Sequence, residues 1–169
     1  DVVVDNLAAS SLARLGLSPE RFEQANPDLV RCSITAYGAD GPFTDWPGFD
    51  PIMQSLSGLA AIQGGDGRPV ATAAPVHDVA TGCLGAIGTL AAVWARSPRR
   101  ASNHRRPAQR AYASLAATST FLQAAELTTF ADRMKRTVGG SDFAGPTATH
   151  RLYSASDRWV AVAATTSEL

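Results

Sequence analysis

The chain has 169 residues and a formal net charge of zero, because 15 Lys and Arg residues balance 15 Asp and Glu residues. Hydrophobic residues make up 45% and charged residues 18% of the sequence, which is enough apolar material for a folded core and excludes a disordered tail. The neutral balance gives no sign of a nucleic-acid partner or of an anionic membrane surface. Cys32 and Cys83 form no CxxC pair, so we expect two free thiols in a cytoplasmic protein and no metal site.

The first part of the chain alternates strand and helix patterns. Residues 2–4 form a short apolar run that predicts a buried parallel strand, and residues 10–17 have the apolar spacing of a helix. Ser18 offers a capping hydroxyl before Pro19, which indicates a helix that starts there and ends before Pro27. Residues 29–35 predict a second buried strand.

The middle of the chain starts with a loop rich in Gly, Pro and Asp over residues 38–48, followed by a helix over residues 50–59. Asp78 is expected to cap a long helix that runs to about residue 96. Residues 79–95 of this helix carry no charge, at the short limit for a membrane span, but the stretch is diluted by glycine and alanine. A buried helix of a soluble protein is therefore expected.

The last part of the chain follows a basic, polar connection over residues 97–107. Residues 110–113 predict a short strand, and Ser114 is expected to cap a helix that ends near residue 130. Residues 152–153 and 159–164 flank a turn and indicate a hairpin.

The order of these elements predicts an α/β fold. Strands that alternate with helices indicate a doubly wound parallel, Rossmann-like sheet with helices on both faces. We expect residues 1–137 to belong to this large domain, and residues 138–169 to form a linker and the first hairpin of a smaller second domain. Both ends of the chain have strand-like runs, so we expect a piece of a longer protein.

Two polar residues near the start are candidates for ligand binding. Asn6 follows the first predicted strand, and doubly wound folds bind ligands outside the carboxyl ends of their strands. An asparagine can donate and accept hydrogen bonds there, and Arg14 can pair with a phosphate. Taken alone, a turn asparagine and a solvated helix arginine explain this pair better.

Two acids, Asp50 and Asp78, are candidate catalytic residues. Asp50 follows the Gly/Pro-rich loop and Asp78 precedes the long apolar helix, so each is also well explained as a helix cap. His77, His104 and His150 have no metal-ligand spacing, and we expect them to be structural or surface residues.

Four segments follow one another along nearly the whole chain: DVVVDN with LARLGL at residues 1–17, NP through SITAYG to PGFD at residues 26–50, PVHD at residues 75–78, and QRAYASL at residues 109–115. Together they resemble family III coenzyme A transferases, the family of formyl-CoA and carnitine CoA-transferases and α-methylacyl-CoA racemases. The resemblance implies acyl-CoA as substrate with no permanently bound cofactor, and Asn6 and Arg14 along bound coenzyme A. It also implies an interlocked homodimer or pairing with a second homologous half.

Two positions depart from the family's pattern. Racemases carry a histidine base where this chain has Phe49, which cannot exchange protons, so racemase chemistry by that route is not expected. The resemblance puts the nucleophilic aspartate of the transferases after S-[LM]-x at a helix start, where this chain has Ala117. A methyl group cannot attack a thioester.

Several explanations of Ala117 remain open. The chain can be half of a tandem protein whose other half keeps the acid, a divergent homologue that binds acyl-CoA without catalysis, or an isomerase- or lyase-like protein that transfers protons through Asp50 and Asp78. A reading from a different class is a dimerisation scaffold that binds no coenzyme A.

Overall fold

A parallel sheet forms the centre of the molecule. The computed structural model describes residues 2–96, 108–134 and 138–164. Strands β1 (Val2–Asp5), β2 (Val30–Thr35) and β3 (Gln109–Ser114) pair in parallel in the order β1-β2-β3. The two segments predicted as neighbouring parallel strands are therefore neighbours, and the predicted α/β class is confirmed.

The helices of the described chain surround this sheet and occupy the connections between its strands. They are α1 (Ala9–Arg14), α2 (Pro19–Ala25), α3 (Asp50–Leu56), α4 (Leu59–Gly64), α5 (Val76–Arg96), α6 (Leu115–Leu122) and α7 (Ala124–Leu127).

The central strand is buried and the first strand is not. In β2, Val30 and Cys32 are completely buried, whereas β1 alternates exposed and half-buried side chains. The prediction that residues 2–4 form a buried strand is wrong in this respect. Across residues 2–96, 108–134 and 138–164, β1 pairs with β2 alone and lies at the edge of the sheet.

Helices pack on both faces of the sheet. Successive side chains of a strand point to opposite faces. The Arg31 guanidinium lies 4.9 Å from the centre of the Phe22 ring of α2, whereas the Cys32 thiol lies 3.6 Å from the carbonyl oxygen of Gly85 in α5. Because Arg31 and Cys32 are adjacent in β2, α2 and α5 cover opposite faces.

Local signals set the helix boundaries, and one of them divides a predicted helix. The Ser18 hydroxyl accepts a hydrogen bond from the Arg21 N–H at 3.4 Å, which confirms the predicted start of α2. The helix predicted over residues 50–59 is divided into α3 and α4, because Gly58 between them has φ +81°, a left-handed conformation that ends a helix. The helix capped by Ser114 ends at Leu122, earlier than predicted, and α7 follows it.

The long helix α5 is exposed on one face. It packs against β2 and β3, but Val79, Ile87 and Leu90 are more than 60% exposed. The prediction of a buried helix is therefore correct for only one face of α5. By length and composition alone α5 also meets the requirement for crossing a membrane. Its packing against the sheet is equally that of a core helix in a soluble fold.

The predicted hairpin is confirmed. β4 (His150–Ser154) and β5 (Trp159–Ala163) pair antiparallel as a separate two-stranded sheet. The basic connection over residues 97–107, with His104, lies outside the described residues. The domain boundary at residue 137 stays a prediction.

Candidate functional site

A cavity of about 550 Å³ lies at the carboxyl ends of β1 and β2. Ligands of doubly wound sheets bind at this end of the strands. The cavity is enclosed by the ends of both strands, the loop before α3, the first turns of α5 and the start of α6. Its lining residues are Asn6, Ala8, Ile34, Thr35, Ala36, Thr44, Trp46, Pro47, Gly48, Phe49, Asp78, Thr81, Gly82 and Leu115.

One of the two residues predicted to bind coenzyme A lines this cavity. Asn6 lines the cavity directly after β1, whereas Arg14 ends α1 and is absent from the lining. The Arg14 guanidinium is exposed and donates a 2.9 Å hydrogen bond to the Ser11 hydroxyl. A second cavity of about 230 Å³ lies against α1 and shares Thr35 and Thr44 with the first, so the two cavities are adjacent.

Asp50 caps a helix other than its own. Its side chain is buried, and its Oδ2 accepts hydrogen bonds from the backbone N–H groups of His77 at 2.6 Å and Asp78 at 3.0 Å, in the first turn of α5. Its Oδ1 accepts a 2.5 Å hydrogen bond from Gln54 Nε2. The residue before α5 is Pro75, whose side chain has no acceptor. The prediction that Asp78 caps α5 is wrong, because Asp78 is the third residue of the helix and Asp50 supplies the cap.

The environments of the two acids move their pKa values in opposite directions. Burial opposes ionisation of Asp50, but hydrogen bonds from Gln54 and from the N–H groups of Asp78 and His77 outweigh it and lower the pKa of Asp50 below its ordinary 3.8. Desolvation, followed by the nearby charge of Asp50, raises the pKa of Asp78 above 3.8. Asp50 is thus a structural anion, and Asp78 is a carboxyl group that lines the cavity.

His77 lies in the interior beside Asp50. Its ring is fully buried, and its Nδ1 lies 3.7 Å from Asp50 Oδ1. Neither ring nitrogen has a hydrogen-bond partner within the part of the chain that the structure describes. This agrees with a structural histidine, and His150 is an exposed residue of β4.

Ala117 lies away from the cavity that Asn6 and Asp78 share. Its backbone N–H donates a 3.3 Å hydrogen bond to the capping hydroxyl of Ser114. Together with Phe121 and Leu127, Ala117 lines a separate open groove along α6 and α7. The position that the resemblance gives to the nucleophile is therefore absent from the lining around Asp78.

The cavity has an aromatic wall. The family resemblance implies that Phe49 and Asp50 border an active site, but the part of the wall formed by Trp46 was not predicted from the sequence. Trp46 and Phe49 line it and are 60% and 64% exposed. Phe43 meets Trp46 edge-on with 4.9 Å between ring centres, and Tyr37 lies 5.7 Å from Phe43. The available signal was four aromatic residues within a Gly/Pro-rich loop, where there is no strand or helix to place them in a core.

Known proteins are similar to this chain in sequence and in fold. A model of CoA-transferase family III matches residues 1–169. The succinate–glutarate CoA-transferase of Agrobacterium fabrum is 42% identical over 83 residues, which are 48% of this chain and 21% of that protein. The formyl-CoA:oxalate CoA-transferase of Streptomyces avermitilis is 36% identical over 97 residues, which are 57% of this chain and 24% of that protein.

A solved structure extends the likeness over almost the whole chain. A CAIB/BAIF family protein from Brucella suis matches with a TM-score of 0.77 and 25% identity, over 96% of this chain and 42% of that one. The chain therefore spans less than half the length of these relatives. The family-model match over all 169 residues shows that the chain belongs to CoA-transferase family III.

Proposed function

We propose that this chain supplies the acyl-CoA site of a coenzyme A transferase and that Asp78 is the attacking carboxylate. The observation that carries the proposal is the shared cavity of Asn6 and Asp78. The Asp78 side chain makes no hydrogen bond or ion pair with any residue in the described ranges, so it is available to a substrate. Ala117, the alternative position, has no nucleophilic atom and lines a different groove.

The chemistry requires one carboxylate that exchanges partners. An Asp78 oxygen attacks the thioester carbonyl of the donor acyl-CoA, the carbon–sulfur bond breaks, and a mixed anhydride forms as the coenzyme A thiolate leaves. The thiolate attacks the Asp78 carbonyl of the anhydride and releases the first acyl group as a carboxylate. The acceptor carboxylate then attacks the resulting aspartyl thioester, and the released thiolate attacks the acceptor acyl carbonyl. A new acyl-CoA leaves, and Asp78 is regenerated.

The surroundings of Asp78 suit this role. Asp78 lies in the first turn of a 21-residue helix, where the helix dipole favours negative charge. Asp50 accepts the hydrogen bonds of the N–H groups of His77 and Asp78, which fixes the start of that helix without using the Asp78 carboxylate. Asp50 is therefore proposed as a positioning residue, because both of its oxygens are engaged and it does not line the cavity.

Coenzyme A is proposed to lie across the two adjacent cavities. Asn6 would contact the thioester end, beside Asp78. Arg14 donates a hydrogen bond to the uncharged Ser11 hydroxyl, so its positive charge stays available for a phosphate. In this arrangement Asn6 and Arg14 both have the coenzyme A-binding role that the family resemblance implies.

The proposal also covers the type of the domains and the assembly of the protein. We infer a Rossmann-like domain, a smaller domain that begins near residue 138, and a cytoplasmic homodimer or pair of homologous halves that acts on diffusible acyl-CoA. The exposed apolar face of α5 supports a further partner surface, and the isolated hairpin of β4 and β5 supports a second domain, because two strands alone are marginally stable in water.

A trapping experiment tests the role of Asp78. The protein is incubated with an acyl-CoA and hydroxylamine, which converts an aspartyl anhydride or thioester into a hydroxamate that mass spectrometry locates. We expect the label on the peptide that contains Asp78, and no label in Asp78→Asn. Labelling should increase with pH as the Asp78 carboxyl group ionises. Because the pKa of Asp78 is raised, this increase should occur above pH 3.8.

Asp66→Asn is the matched control, because Asp66 is exposed and lies in the turn after α4, outside the cavity. It should label like the wild type. An unlabelled wild-type protein together with a labelled Ala117→Asp variant would show that the position expected from the resemblance is correct and that Asp78 is not the nucleophile.

A further inference from the structure

We infer that the cavity beside Asp78 takes an uncharged, apolar acyl group and disfavours a dicarboxylate. This inference rests on the proposed transferase function and names the substrate class of the same site. The relatives described above are named for succinate, glutarate and oxalate, all of which are dicarboxylic acids. The second carboxylate of such a substrate needs a cation or several hydrogen-bond donors in the protein.

The described lining contains no cation. Asp78 is its one ionisable side chain, and none of its residues is Lys, Arg or His. Arg31 forms a 2.9 Å ion pair with Asp5, the buried His77 lies beside Asp50, and Arg14 ends α1 outside this lining. The negative charge of Asp50 acts on Asp78 and would also repel a second anion.

The uncharged donors of the lining are also largely engaged. The Thr44 hydroxyl donates to the carbonyl oxygen of Gly41 at 2.7 Å, and the Thr81 hydroxyl donates to that of His77 at 2.6 Å. Asn6, Thr35 and the indole N–H of Trp46 are the side-chain donors of the lining that remain. Asn6 and Thr35 can orient one carboxylate while it reacts at Asp78, but a second one would find a single uncharged donor and no cation.

The rest of the wall favours apolar contact. Trp46 and Phe49, both largely exposed, line the cavity, and Ile34, Pro47 and Leu115 add aliphatic area. Phe43 holds Trp46 in an edge-on contact, so the indole is positioned before a ligand arrives. Covering these rings with an aromatic or aliphatic acyl group removes apolar surface from water, whereas a carboxylate placed there loses its hydration.

Calorimetric titration of the chain with three ligands tests this inference. Free coenzyme A measures the shared part of the ligand, phenylacetyl-CoA adds an apolar acyl group, and glutaryl-CoA adds one of similar length that ends in a carboxylate. We expect phenylacetyl-CoA to bind at least tenfold more tightly than glutaryl-CoA. Trp46→Ala should reduce this ratio at least threefold, and Trp46→Arg should strengthen glutaryl-CoA binding.

Trp159→Ala is the matched control, because Trp159 is 67% exposed, like Trp46, but lies on β5 away from the cavity. It should leave all three affinities unchanged. Glutaryl-CoA binding as tight as phenylacetyl-CoA binding, with free coenzyme A still bound, would overturn the inference and leave the proposed function intact. If none of the three ligands binds, the proposed function fails and the inference fails with it.

Discussion

Asp50 links two helices through one carboxylate. It is the first residue of α3, yet its oxygens accept hydrogen bonds from the first turn of α5 and from Gln54. The Gln54 side chain in turn contacts the backbone of Thr72, because its Oε1 accepts from the Thr72 N–H at 2.7 Å. The residues between α4 and α5 are thereby tied to α3.

We predict that Asp50→Ala destabilises the chain by about 2–3 kcal/mol, because it removes the cap of α5 and leaves buried donors without an acceptor. The free energy of unfolding in urea measures this change. Asp66→Ala, in an exposed turn, should change it by less than about 0.5 kcal/mol. An effect of Asp50→Ala as small as that of the control would show that the cap is unimportant.

The pH dependence of the same measurement separates charge from shape. The pKa of Asp50 is lower in the folded than in the unfolded chain, so the stability that its charge contributes is present above the unfolded value near 3.8. It is lost as the pH falls through the lower folded value. The difference in stability between wild type and Asp50→Asn should therefore shrink below pH 3.8.

Sequence reasoning predicted candidate site residues but not the different contacts that each of them makes. Asn6, Asp50 and Asp78 each follow or precede a predicted element, and that local pattern is visible in one sequence. The cap that Asp50 gives to α5 joins segments 27 and 28 positions apart, and no local pattern predicts such a contact. The same limit applies to Ala117, whose place in another groove depends on how α6 packs.

At the scale of elements, the contact of α5 with β2 depends on one glycine. A Cβ atom added to Gly85 would lie 2.9 Å from Ile34 Cδ1 and 3.5 Å from Cys32 Sγ. Gly82, one turn earlier in the same helix, has no atom within 4 Å of such a position. Both glycines belong to the glycine- and alanine-rich stretch noted in the sequence, but only the packed structure distinguishes the glycine that faces the sheet from the one that does not.

We predict opposite effects for leucine at these two positions. Gly85→Leu should push α5 from the sheet and lower stability by about 1–3 kcal/mol, because an overfilled core strains its neighbours. Gly82→Leu should raise stability by up to about 1 kcal/mol, since leucine is the better helix former and meets open space. Thermal unfolding monitored by circular dichroism measures both. Equal destabilisation by both variants would contradict the packing described here.

At the scale of the whole molecule, the alternation of strand and helix patterns was enough to predict the sheet. Parallel strands buried between two helix layers are rich in apolar residues, and residues 29–35 include Leu29, Val30, Cys32 and Ile34. The exposure of β1 was not predictable in this way, since an apolar run has the same pattern at the edge of a sheet as at its centre. The exposed face of α5 is hidden from sequence reasoning for the same reason.

We predict that this face causes the chain to associate. Contiguous exposed apolar surface of this kind favours contact with another protein surface. Sedimentation velocity should show a mass that increases with concentration, and Leu90→Glu, at a residue that is 68% exposed, should reduce this association without loss of helix signal. Met134→Glu, at an exposed apolar residue outside α5, serves as the control. A chain that stays monomeric at every concentration would contradict the prediction.

The connection between β2 and β3 determines the order in which the chain can assemble during synthesis. Val30 pairs with Gln109 and Thr35 with Ser114, so one edge of the central strand stays open until residues 36–108 have been made. At about 5–20 residues per second this takes roughly 4–15 s. The contact between Asp50 and α5 lies entirely within that interval, so it can form on the ribosome before the sheet closes. Until β3 arrives, β2 presents an apolar strand with one free edge, and the nascent chain is most exposed to misassociation in those seconds.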